Sequence, residues 1–190
     1  MLGQTIPFAL SRRRPGAAAR RTQLLDAVVV ACAVIWAATM ISAAVVIAVP
    51  GAGADVASLI AAPRPTLTPS VATALGIGAH NVPLALWPLL LPVVIGPAGR
   101  WARVGDACVV VALALNGAVV GVALGAYGVP LLRYLPQLPF EWAAWAVGSG
   151  SWLLARQRPT SRRERLALAL VAVLLLAGAA AVETFLTPHR

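Results

Sequence analysis

Apolar residues along the chain are gathered into five long runs that short, more polar loops separate. A helix needs about 20 predominantly apolar residues to cross the hydrocarbon core of a bilayer. The runs cover residues 24–49, 71–95, 106–126, 140–155 and 166–186, of which the fourth is short. The pattern predicts an all-α polytopic membrane bundle of about five transmembrane helices.

The same pattern divides the chain into two parts. Residues 1–23 form an Arg-rich N-terminal segment, and residues 24–188 form a single membrane-embedded helical domain. The longest loop, residues 50–70, is rich in Gly, Ala, Pro and Thr, which indicates an irregular connection. The first run exceeds the 7–15 apolar residues of a signal peptide, so a retained membrane helix is favoured over a cleaved signal.

Three prolines interrupt the second run. Pro83, Pro88 and Pro92 each lack the N–H group of a helical hydrogen bond and crowd the preceding turn. In lipid the carbonyl groups that lose these hydrogen bonds need other donors, from neighbouring residues or from water. The second helix is therefore predicted to be Pro-kinked or broken beside a packed or wet environment, the alternative being a merely bent helix.

The composition excludes whole classes of protein. Of the 190 residues, 60% are hydrophobic and 11% are charged, and the mean hydropathy is +0.85, so neither a soluble globular domain nor a disordered chain fits. All 15 basic residues are Arg, which excludes a P-loop Lys and a Lys Schiff base. Cys32 and Cys108 lie in apolar runs without a CxxC partner and are expected to be buried thiols. No metal and no cofactor are expected.

The arginines favour one orientation in the membrane. Twelve of the 15 precede the first run or follow the second and fourth runs, and only three lie on the other side. The positive-inside rule then places the N-terminus in the cytoplasm and the C-terminus outside. Because the arginines alternate with apolar runs, they indicate membrane topology and no nucleic-acid partner.

The loop after the fourth run carries five of these arginines. They are Arg156, Arg158, Arg162, Arg163 and Arg165. Three roles stay open for this loop: setting the topology, contacting anionic lipid, or receiving a cytoplasmic partner such as an ATPase.

The third run contains glycines at four-residue spacing. Gly117, Gly121 and Gly125 share one helix face, and Asn116 lies beside them. Such a face lets another helix backbone approach closely. Two interpretations remain open, a helix–helix contact within the monomer and a homo-oligomer interface.

Four polar residues of the apolar runs fall towards the same outer leaflet. They are His80, Asn81, Glu141 and Glu183. Ionisable groups within spans are costly and usually face protein or water, so these residues are predicted to form one polar cluster. The cluster would bind a cation, relay protons or recognise a partner; the alternative is that both Glu side chains end helices at the headgroup level. No HExxH or GxSxG motif accompanies them, and no catalytic residue is predicted.

Short motifs resemble those of the stage II sporulation protein M family. Pro136-Gln137-Leu138-Pro139-Phe140-Glu141 is similar to its Pro-His-Gly-x-x-Glu, with Gln and Leu in place of His and Gly. Glu183-Thr184-Phe185-Leu186-Thr187-Pro188 resembles its Glu-x-Phe-x-Thr-Pro, and Asn116-Gly117 with Gly121 its Asn-Gly-x-x-x-Gly. Asn81 lies where this family tends to place an Asn, so the resemblance covers roughly residues 75–188.

The resemblance implies a multi-pass protein of a bacterial plasma membrane that acts through protein partners. One hypothesis is a non-enzymatic scaffold whose outer face, near Glu141, Trp142 and Glu183, recruits an extracytoplasmic partner such as a cell-wall hydrolase. The other is a membrane permease subunit of a peptide or small-molecule exporter that works with a separate ATPase.

Overall fold

The chain folds into a bundle of helices. The computed structural model describes residues 17–60 and 69–186, and within those ranges every regular element is a helix. The elements are α1 (Ala17–Ala48), α2 (Ala52–Ile60), α3 (Val71–Val94), α4 (Gly99–Tyr127), a 3₁₀ helix (Val129–Tyr134), α5 (Leu138–Gln157) and α6 (Arg162–Phe185). The predicted all-helical class is confirmed. Most of the Arg-rich segment 1–23 lies outside the described residues.

Four of the described helices are long and apolar enough to cross a membrane. They span Thr22–Ala48, Val71–Val94, Gly99–Tyr127 and Arg162–Phe185, in α1, α3, α4 and α6. Their outward faces carry large exposed apolar side chains such as Ile47, Val94 and Leu174. A surface of this kind suits contact with lipid tails rather than water.

Helix α5 occupies the interior of the bundle. It packs against α1, α3 and α6, and Ala144, Ala146, Trp152 and Leu154 on it are fully buried. Because protein surrounds this helix, it needs less apolar side chain than a helix that faces lipid. This explains why the fourth apolar run of the sequence is the shortest, although the helix itself extends over 20 residues.

Two close backbone contacts bring α3 and α1 against α5. A Cβ atom on Gly148 would meet the carbonyl oxygen of Ala85 in α3, and one on Gly150 would lie 3.0 Å from a methyl carbon of Val28 in α1. Glycine is the residue that permits such an approach. The middle of the bundle is therefore closed by direct helix contact.

Contacts between helices define the two ends of the bundle. Asp106 near the start of α4 contacts Arg156 at the end of α5, and these residues mark the arginine end. Glu141 at the start of α5 and Glu183 near the end of α6 line one cavity and mark the cavity end. Helix α5 thus runs antiparallel to α4 and α6, from the cavity end to the arginine end.

Helix α3 is continuous through its three prolines. It is helical from Val71 to Val94, so the expectation of a broken helix is wrong, and the predicted proline kink stays a prediction. Burial of Pro88 against neighbouring helices holds the segment helical although hydrogen bonds are lost.

Two other local expectations differ from the structure. The loop 50–70 contains helix α2, which packs on the end of α4, where the Tyr127 hydroxyl donates to the carbonyl oxygen of Ala57 at 3.3 Å. Cys108 is exposed on α4 and Cys32 is half-buried, so the expectation of two buried thiols is wrong. Cys108 lies on a face of α4 that no other described helix covers.

Candidate functional site

A cavity of about 640 Å³ lies at the cavity end of the bundle, between α3, α5 and α6. All four residues of the predicted polar cluster line it, together with four others. The full lining is Thr73, Gly76, Ile77, His80, Asn81, Gln137, Glu141 and Glu183. The cavity is open on one side, and its volume is typical of small-molecule sites.

Helical periodicity explains how α3 supplies much of this lining. Residues three and four apart share one helix face, and Thr73, Ile77, His80 and Asn81 follow that spacing. The helix starts at its N-cap Ser70, whose hydroxyl accepts a hydrogen bond from the backbone N–H of Thr73 at 3.1 Å. This hydrogen bond satisfies one of the free N–H groups of the first turn and marks where the helix begins.

The acidic side chains come from two other helices. Glu141 lies in the first turn of α5 and Glu183 in the last turns of α6, and both are half-buried. The side-chain amide of Asn81 donates from Nδ2 to Oε1 of Glu141 at 3.3 Å, which joins α3 to α5. His80 is exposed at the cavity. The structure brings the four residues together, and their function stays a prediction.

Gln137 is a cavity residue that sequence reasoning did not assign to the cluster. It is 7% exposed, and its side-chain Oε1 is buried without a hydrogen-bond partner among the described residues. An unsatisfied buried carbonyl oxygen costs free energy, so a hydrogen-bond donor that reached this atom would stabilise it. The four-residue spacing to Glu141 was the signal in the sequence, since both residues then face the same side of α5.

Proline chemistry adds a further acceptor next to the cavity. Pro83 has no N–H group, so the carbonyl group of Ala79 receives no α-helical hydrogen bond from position 83. Ala79 directly precedes His80, which lines the cavity. The region is thus rich in hydrogen-bond acceptors, from carboxylate, amide and backbone oxygens.

The acceptors are not arranged as a metal site. Among residues 17–60 and 69–186, no group of three or more His, Cys, Asp or Glu side chains converges closely enough to hold a metal ion. The arrangement can instead surround a larger polar or cationic group, because its carboxylate and amide oxygens are spread around an open cavity.

The glycine face of α4 packs against α1 of the same chain. A Cβ atom on Gly117 would meet the carbonyl oxygen of Ile35, and one on Gly121 that of Thr39. The Thr39 hydroxyl lies 2.9 Å from the carbonyl oxygen of Ile35 and 3.0 Å from that of Gly117, so it donates within this contact. A homo-oligomer through this face would have to displace α1.

The last glycine of that face and its polar neighbour extend the same contact. A Cβ atom on Gly125 would lie 2.7 Å from Cβ of Val46 in α1. Asn116 is half-buried beside the glycines.

At the arginine end, hydrogen bonds hold the partly exposed guanidinium of Arg156 against the bundle. Its Nε donates to Oδ1 and Oδ2 of Asp106 at 3.1 and 3.2 Å, and Nη1 donates to the carbonyl oxygen of Pro97 at 2.6 Å. The indole N–H of Trp152 donates to the same carboxylate. Arg156 therefore ties α5 to the start of α4.

The other loop arginines divide into held and exposed side chains. Arg158 donates from Nη1 to Oε2 of Glu164 at 3.0 Å, and this hydrogen bonding raises the pKa of the Arg158 guanidinium. Arg165 donates to the carbonyl oxygen of Thr160 at 2.8 Å. Arg162 and Arg163 are exposed, which leaves these two best placed to meet lipid or a partner.

Comparison with known proteins finds no relative of this chain: no family model, no curated protein and no solved structure matches it.

Proposed function

We propose that the chain crosses a bacterial plasma membrane five times, with the arginine end in the cytoplasm and the cavity outside. The four apolar helices provide four crossings. Helix α5 provides the fifth, because its two ends lie at opposite ends of the bundle. The excess of arginines at one end supports the orientation.

We further propose that the protein is a non-enzymatic membrane scaffold that holds an extracytoplasmic partner protein at the cavity. The observation that carries this proposal is the position of the cavity. Half-buried acidic and amide side chains surround an opening at one end of an otherwise apolar bundle, and below it Gly148 of α5 packs on Ala85 of α3. A site open to one side and closed beneath suits docking of a partner group.

The resemblance to the stage II sporulation protein M family supports a partner that remodels the cell wall. Glu141 closes the first resembling stretch and Glu183 opens the last, and both line the cavity. The motifs that carry the resemblance and the residues that line the cavity thus overlap.

A second candidate is the permease subunit of an exporter. The observation that favours it is the proline content of α3, because a helix with missing hydrogen bonds beside a polar cavity is typical of transport pathways. In this function an ATPase would bind the exposed Arg162 and Arg163.

Quantitative affinity purification of the tagged protein from its native membrane separates the two candidates. The scaffold requires a wall-remodelling enzyme that copurifies with the wild-type protein and is lost from Glu141→Gln. Asp55→Asn is the matched control, because Asp55 is an exposed acid of α2 outside the cavity lining. A copurifying ATPase that Arg162→Gln with Arg163→Gln removes would instead establish the permease subunit.

A further inference from the structure

One hydrogen-bond acceptor of the cavity lining has no donor among the described residues. The buried Oε1 of Gln137 has no hydrogen-bond partner among the described residues, although its side chain is 7% exposed and lines the cavity. A buried oxygen of this kind is retained at a cost unless something donates to it. A ligand that enters the cavity with N–H groups would supply that donor.

The acidic side chains of the lining favour a cationic ligand over an anionic one. Two carboxylates, Glu141 and Glu183, line the same cavity as Gln137, and no Arg belongs to the lining. An anion would be repelled there, whereas hydrogen bonds between a cationic donor and a carboxylate are among the strongest in proteins. The amide of Asn81 donates to Oε1 of Glu141 and orients that carboxylate.

The size of the cavity separates an organic cation from a metal ion. A metal ion needs several ligands within about 2.0–2.6 Å of one point, and the described acidic and His side chains form no such group. A cavity of about 640 Å³ accommodates an alkylammonium or a guanidinium group together with its carbon chain.

We propose that this cavity binds an organic cation, an ammonium or guanidinium group, through the carboxylates of Glu141 and Glu183 and the amide oxygen of Gln137. The inference rests on the proposed function in one respect: the cation is the group by which the extracytoplasmic partner is held. A free small amine carries the same chemistry, and the test separates this source from a peptide side chain.

The test uses the purified full chain in nanodiscs of uncharged phosphatidylcholine, so that amines do not adsorb to anionic lipid. Calorimetric titration measures binding of n-butylammonium, methylguanidinium and the peptide glycyl-lysyl-glycine. Butanol and butyrate serve as the neutral and anionic counterparts, and zinc and magnesium chlorides as the metal probes. We expect the cationic organic probes to bind with about millimolar affinity and the counterparts not to bind.

Substitutions then assign the binding to this cavity. Glu141→Gln keeps an oxygen that accepts from Asn81 but removes the charge, and we expect binding about 10- to 100-fold weaker. Gln137→Leu removes the unpaired oxygen at similar volume, and we expect binding about three- to tenfold weaker with an unchanged or higher unfolding midpoint. Asp55→Asn should bind as the wild type does. A purely structural Gln137 would instead leave binding unchanged, and this variant tests the inference even if Glu141→Gln fails to fold.

Each outcome has a definite meaning. Binding of the free amines without binding of the peptide supports a small-molecule ligand, and tighter binding of the peptide than of the free amines supports a partner side chain. Equal binding of butanol, binding of zinc without binding of amines, or wild-type affinity in Gln137→Leu would overturn the inference. If amines bind but the copurifying partner stays with Glu141→Gln, the cation site is supported and docking of the partner at the cavity is refuted. If the partner is lost from Glu141→Gln but no amine binds, only the cation site is refuted.

Discussion

Trp152 of α5 donates its indole N–H to Oδ1 of Asp106 in α4 at 2.9 Å. The Trp152 side chain is fully buried, so this carboxylate provides the hydrogen-bond partner of a buried donor. Asp106 also accepts from Arg156, whose side chain is 30% exposed. One acidic residue thus joins a buried aromatic side chain and a surface arginine at the arginine end of the bundle.

Replacing Asp106 should therefore destabilise the bundle. We expect Asp106→Ala to lower the free energy of unfolding by about 1–3 kcal/mol. Most of the loss arises from the Trp152 N–H, because the partly exposed ion pair with Arg156 is screened by solvent. Denaturant unfolding in detergent, followed by Trp fluorescence, measures the change. Asp26→Ala is the control, since Asp26 is exposed on α1, and an equal loss in both variants would contradict this role of Asp106.

The glycine face of α4 gives a prediction on packing. In Gly121→Ala the new methyl group would meet the carbonyl oxygen of Thr39, so α1 and α4 must separate. We expect a loss of about 1–3 kcal/mol in the free energy of unfolding. Gly178→Ala is the matched control, because its methyl group would lie at an ordinary 3.7 Å from the Phe140 ring and helix propensity favours Ala.

A comparison of the wild type with Gly121→Ala at several protein concentrations separates the two interpretations of the glycine face, a contact within the monomer and a homo-oligomer interface. If the face serves the monomer, Gly121→Ala lowers the unfolding midpoint at every protein concentration, as followed by circular dichroism. A midpoint that depends on protein concentration in the wild type and not in the variant would point to a homo-oligomer interface.

Cysteine labelling tests whether α5 crosses the membrane. With Cys32 and Cys108 replaced by Ala, single cysteines are introduced as Asp55→Cys and Arg162→Cys, both at exposed positions. If α5 crosses, an impermeant maleimide added to intact cells labels position 55 but not position 162. If only the four apolar helices cross, both positions lie on the same side and label alike. Labelling after membrane disruption confirms that both cysteines are reactive.

The exposed Arg162 and Arg163 should affect the binding of anionic lipid and leave the stability of the bundle unchanged. We expect Arg162→Gln with Arg163→Gln to weaken retention of anionic lipid by about 1 kcal/mol per charge, with a smaller difference at high salt. Native mass spectrometry of the protein with phosphatidylglycerol measures retention. The unfolding midpoint should stay unchanged, whereas Arg156→Gln should lower it, because Arg156 contacts Asp106 and Pro97.

Apolar runs were sufficient to locate the five long helices, because a helix that faces lipid must be apolar along its length and α5 packs through apolar side chains inside the bundle. Their ends were predicted less well, since α4 begins at Gly99 and α6 at Arg162, in polar sequence before the runs at 106 and 166. Ser161 explains the second case: its hydroxyl accepts from the backbone N–H of Glu164 and caps α6. Helix α2 was missed because nine residues are too few for a span.

The order of the helices predicts which residues of the candidate site come together, but not how deeply each is buried. Placing Glu141 and Glu183 at the same end of the bundle required only the order of the helices, and both line the cavity. Burial of Gln137 depends on how the chain enters α5, which no local pattern contains. The contact between Asp106 and Arg156 was missed for a related reason, because the two residues are 50 positions apart on different helices.

The interior position of α5 has a consequence for biogenesis. This helix contains Glu141, Ser149 and Ser151, and it is not among the four helices that are apolar enough to cross a membrane by length and composition. In the proposed five-span topology, its partition from the translocon into lipid waits for helices that shield it, and α6, which packs along it, follows it in synthesis. In that topology a nascent chain halted before α6 would leave α5 poorly inserted, and α6 completes the insertion of the helix before it.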